Sequence, residues 1–116
     1  MNVKECYAMM GGDYEGVMGR LMTDERIKKF LLKLPQSNPM DEIFENLNNK
    51  DYETAFRNVH NMKGVALNLG LSVIAESSSE LCEALRGGEP STDITPLLDK
   101  LKVDYDKFVE ILGQMD

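Results

Sequence analysis

The sequence of 116 residues contains no tryptophan, one histidine and two cysteines. Cys6 and Cys82 lie far apart and show no metal-ligand spacing, which argues against a zinc module and for free thiols in a reducing cytoplasm. A disulfide between them is the alternative. Basic charge is also scarce. Lys and Arg number 13 against 20 Asp and Glu, a formal net charge of −7, which excludes nucleic acid or an anionic membrane surface as the main partner and leaves any use of positive charge to be local. No apolar run approaches the roughly 18 residues of a membrane span, and Met1-Asn2-Val3-Lys4-Glu5 carries no hydrophobic signal segment. Strand patterning, internal repeats and low-complexity linkers are absent. The length suits one core, so a single domain over residues 1–116 is expected.

What is present is helical periodicity with clear punctuation. Asn2 and Asp13 are N-cap candidates for two short helices, Val3 to Met10 before Gly11-Gly12 and Tyr14 to Leu21. Thr23 caps a longer one through Ile27, Phe30, Leu31 and Leu34, with Pro35 as its stop. Asn38-Pro39 starts another, and Asn48-Asn49-Lys50 ends it. Asp51 caps a helix that reaches Gly70. Leu71, Ile74, Ala75, Ser78, Leu81, Cys82 and Leu85 line the next helix up to Gly87-Gly88, and Ile94 to Leu112 forms the last. The sum predicts an all-α antiparallel four-helix bundle with additional short N-terminal helices. Eight methionines, including Met9, Met10, Met18, Met22 and Met40, read as gap fillers in a small core, and Asp99, Asp104, Asp106 and Glu110 as a solvated face.

The only histidine sits in Ala55 to Gly70. At about 100° per residue, Ala55, Val59, Met62, Ala66 and Leu69 form one buried stripe with Tyr52 at its edge, and His60 points about 140° away from it. The imidazole should therefore face water. Phe56 and Leu67 flank it, and Lys63 lies within reach on the same side. Gly64, one turn beyond His60, costs a helix about 1 kcal/mol relative to alanine, a cost that makes sense if another protein's backbone must approach the ring. No second His or Cys lies within a turn to make a metal site, and no nucleophile or oxyanion arrangement calls for a general base. That leaves His60 as a nucleophile itself.

His60-Asn61-Met62-Lys63-Gly64, followed by Ala66 and Leu69-Gly70, resembles the signature of histidine-containing phosphotransfer (HPt) domains. The resemblance covers the chain and implies a stand-alone carrier in a two-component phosphorelay rather than a self-sufficient enzyme. It implies His60 as phosphoryl acceptor, Lys63 to meet phosphoryl charge, Gly64 to clear the docking surface, and Phe56, Arg57 and Leu67 as partner-binding residues. Partners would be response-regulator receiver domains and a sensor or hybrid histidine kinase, with no nucleic acid or membrane. The chain would be a monomer without a cofactor or metal of its own, magnesium being supplied by the receiver. A helical adaptor that binds a partner through the same face without accepting phosphate is the alternative. One departure stands out: several family members place a glutamine on the following helix facing the histidine, and an ungapped count puts Cys82 there. A thiol is a poor hydrogen-bond partner for an imidazole, so Ser77-Ser78-Ser79 would either supply a hydroxyl or simply let the helices pack closely.

Overall fold

A computed structural model describes residues 1–116 as seven helices without a strand: α1 Val3–Met10, α2 Tyr14–Leu21, α3 Asp24–Gln36, α4 Pro39–Asn48, α5 Tyr52–Asn68, α6 Ser72–Leu85 and α7 Thr95–Leu112. Local chemistry accounts for most of the boundaries. Asn2 and Glu5 form a reciprocal capping box at α1, and the side chains of Asp13, Thr23 and Asp51 each accept a backbone N–H in the first turn of α2, α3 and α5. Pro39 occupies the start of α4, whereas Asn38 gives no side-chain cap and instead turns the chain with a positive φ of 47°. Pro35 does not stop α3 as its sequence position predicts, because the helix continues to Gln36. The turn closes at Ser37, whose backbone N–H and hydroxyl both donate to the Leu34 carbonyl, so termination is a capping event one step beyond the proline.

Short connections make α4 through α7 consecutive antiparallel neighbours, with α5 packed between α4 and α6, and α6 in turn against α7. Helix α3 lies against α1, α2 and α7. The predicted stripe of α5 is buried over its full length at Ala55, Val59, Met62, Ala66 and Leu69. It meets Leu81, Cys82 and Leu85 from α6 in a core that also holds Ile43, Leu101, Tyr105 and Phe108. Cys6 and Cys82 are both free and buried, which removes the disulfide alternative. The methionines divide: Met40 is in the core and Met10 and Met18 pack against it, but Met9 and Met22 are exposed. Asp104 is likewise not part of a solvated face, since it is half-buried and accepts the Ser77 hydroxyl across α6 and α7. No helix is long and apolar enough to cross a membrane.

The C-terminal end of α5 is closed by a turn that needs glycine. Gly70 adopts φ 65°, the Leu71 N–H returns to the Ala66 carbonyl and the Gly70 N–H to that of Leu67. A β-carbon at Gly70 would come within 2.6 Å of the Asp13 carbonyl oxygen, so the N-terminal segment is seated directly on this turn. From that segment the Asp13 N–H donates to Gly70 O, the Tyr7 hydroxyl to Leu69 O, and the Arg20 guanidinium to Leu67 O and Asn68 O. The last carbonyls of α5 are thus satisfied by α1, α2 and the turn joining them. Tyr7→Phe is expected to cost about 1–2 kcal/mol, because the buried Leu69 carbonyl loses its 2.6 Å hydroxyl partner. Urea unfolding with an unchanged slope would measure it, and an unshifted midpoint would contradict it.

Candidate functional site

His60 lies midway along α5, exposed on the side opposite the buried stripe. Phe56, one turn earlier, stacks on its ring with centroids 6.0 Å apart and planes inclined by 23°. Its Nδ1 faces the Cys82 sulfur of α6 at 4.0 Å, a weak contact by the standard of nitrogen and oxygen partners. Burial pushes the Cys82 thiol up from its ordinary value, so it remains protonated at neutral pH. The serine run divides along its length: the Ser77 hydroxyl is spent on Val73 and Asp104, and that of Ser78 is buried without a partner. The position reached by counting to Cys82 is therefore the one whose side chain meets the imidazole.

Around the ring, Lys63 is half-buried, and Arg57 and Gly64 are exposed. Leu67 is 57% exposed. A β-carbon built on Gly64 would meet nothing within 4 Å, so no internal contact explains a glycine there. Sequence reasoning missed Arg86. Its guanidinium lies 5.5 Å from the Phe56 centroid, on a ring that also stacks with His60. The same guanidinium is bidentate to Glu83, at 3.1 and 2.6 Å, and this pairing holds the Glu83 carboxyl below its usual range. Spacing could not have found it, because Arg86 is the extended residue that follows the last turn of α6 and helical periodicity does not carry past Leu85.

The chemistry available here is that of an exposed ring nitrogen among local cations, Lys63, Arg57 and Arg86, on a chain of net charge −7. No three His, Cys, Asp or Glu side chains converge to hold a metal ion. Two clefts open on the surface, and neither includes His60. One is lined by Leu71, Val73 and Phe108 among others, and the second by Pro39, Asn58 and Asn61 among others. A nucleophile exposed outside both clefts suits a macromolecular donor better than a small substrate. A family model described as Hpt domain matches residues 27–109, from within α3 to near the end of α7. No curated protein and no solved structure matches the chain.

Proposed function

The chain belongs to the Hpt domain family, whose members act in phosphotransfer within two-component phosphorelays, and we propose that it does so by accepting a phosphoryl group on His60 from a receiver-domain phosphoaspartate, or from a hybrid kinase, and returning it to the aspartate of a response-regulator receiver. The observation that carries this reading is an exposed imidazole whose Nδ1 is turned to a buried, protonated thiol. In the tautomer that carries its proton on Nδ1, the sulfur can accept that proton and the Nε2 lone pair is free on the outer side of the ring. Attack by Nε2 forms the N–P bond as the bond between phosphorus and the aspartyl oxygen breaks. The electron pair leaves with the carboxylate, and the ring holds the positive charge as an Nδ1-protonated imidazolium. The reverse step returns the group to a second carboxylate.

The protein's own contribution is position and charge. Lys63 meets the charge of the phosphoryl group in flight, Gly64 lets the partner's backbone close on the ring, and Phe56 holds the ring by its face. Phe56, Arg57 and Leu67 contact the receiver, to which we add Arg86. The magnesium that phosphoryl transfer uses is supplied by the receiver. The working state is a cytoplasmic monomer. Incubation with a receiver domain phosphorylated on its aspartate should transfer label to this chain in an acid-labile, base-stable form. A chain that binds the phosphorylated receiver yet takes no label would leave only the adaptor function.

A further inference from the structure

We infer that the receiver's docking surface does not end on α5 but continues over the N-terminal segment, with α2 forming its second half around Arg20 and Gly19. This rests on the phosphotransfer reading for the identity of the partner. Helix α2 lies outside the residues matched by the family model, so the inference stands on contacts within this chain.

Leu67 lies on the same stripe as His60, about 10 Å further along α5 at 1.5 Å per residue. Arg20 is fixed at that point, its Nε donating to Asn68 O at 3.1 Å and its Nη2 to Asn68 O and Leu67 O at 2.8 and 3.2 Å. A typical interface covers about 800 Å² on each partner, a disc on the order of 16 Å in radius. A receiver centred on the imidazole therefore covers Leu67 and reaches the guanidinium beside it. Three bonds hold the Arg20 side chain in place while its Nη1 makes no bond within the chain, so a cation is already ordered for a partner carboxylate. With Lys63 and Arg57 it extends the local positive charge of an otherwise acidic protein towards a partner whose own site is built from carboxylates.

Gly19 supplies an independent observation. It is exposed inside α2, and a β-carbon there would meet nothing within 4 Å, the same finding as at Gly64. Glycine in that position weakens the helix by about 1 kcal/mol relative to alanine, and nothing inside the molecule requires it. Close approach of the docked receiver accounts for both glycines.

Gly19→Gln isolates the idea, because the added side chain enters open space and improves helix propensity, so it has no reason to unfold the protein. A purified receiver domain is titrated against wild type, Gly19→Gln and Val103→Gln, the last changing an exposed position on α7. Single-turnover transfer from the phosphorylated receiver is measured at saturation alongside. The expected result is a dissociation constant raised about tenfold for Gly19→Gln, a saturating transfer rate within about twofold of wild type, an undiminished melting temperature, and no change for Val103→Gln. Unchanged affinity in Gly19→Gln overturns the extended surface while leaving the phosphotransfer reading intact. A wild-type chain that binds the receiver but takes no label overturns transfer alone, since the affinity comparison still decides the surface. A chain that binds no receiver overturns both.

Discussion

His60→Gln should abolish phosphoryl acceptance, leaving no label above background, while the helical signal and melting temperature stay close to those of the original protein. The chemical half follows from the inventory of the face, which offers no second group able to take a phosphoryl from an acyl phosphate and hold it as a reactive phosphoramidate. The neighbouring thiol is fully buried and held protonated. The structural half follows from position. His60 projects from the side opposite the stripe of Val59, Met62 and Ala66, so its replacement opens no core cavity. What the protein loses is a stacking contact with Phe56 and a weak contact with Cys82, and glutamine is a somewhat better helix former. A stability change within about 1 kcal/mol is the consequence. The assignment of His60 fails if the variant still takes label, and the placement of the ring fails if the variant unfolds.

How far the sequence alone could reach depended on the range of the interaction. The buried face of α5 repeats every three to four residues, so Ala55, Val59, Met62, Ala66 and Leu69 could be placed inside and His60 outside from spacing alone. Caps are equally local: Asn2, Asp13, Thr23 and Asp51 each act within three residues of themselves. Pro35 misled because what a proline costs a helix, the hydrogen bond of its own nitrogen and crowding against the carbonyl four residues back, can be tolerated one residue from the helix end. The site was legible where it lay on one helix and obscure where it crossed to another. Phe56, Lys63, Gly64 and Leu67 share a side of α5 with His60, but Arg86 comes from the extended residue just past α6 and had to be seen stacked on Phe56. The seating of α1 and α2 on the end of α5 was invisible for the same reason. Tyr7 and Leu69 are 62 positions apart and Arg20 and Asn68 are 48, and no periodicity links such pairs.

Lys63→Ala should slow transfer about tenfold or more at saturating receiver while changing the affinity by much less. The phosphoryl group carries its negative charge throughout the transfer, and one charge-assisted hydrogen bond strengthened in the transition state is worth roughly 1.5 kcal/mol or above, which corresponds to a factor of about ten in rate. Docking draws on a wider set of groups. Phe56→Ala tests the converse, and the structure alters what to expect of it. If Phe56 were only an apolar anchor, its removal would weaken the complex and spare the rate of the bound state. Its ring, however, stacks on His60 and lies beneath Arg86, so truncation also frees the imidazole and removes the surface on which the guanidinium rests. Both quantities should therefore fall in Phe56→Ala, with the larger loss in affinity, whereas Lys63→Ala loses rate almost alone. Phe56→Leu separates the two roles, since it keeps an apolar contact but cannot stack, and it should recover affinity more than rate. Single-turnover transfer at saturating and subsaturating receiver distinguishes these patterns. Equal losses confined to binding in Lys63→Ala and Phe56→Ala would mean that the face is adhesive and the histidine a bystander on it, which is the behaviour of an adaptor.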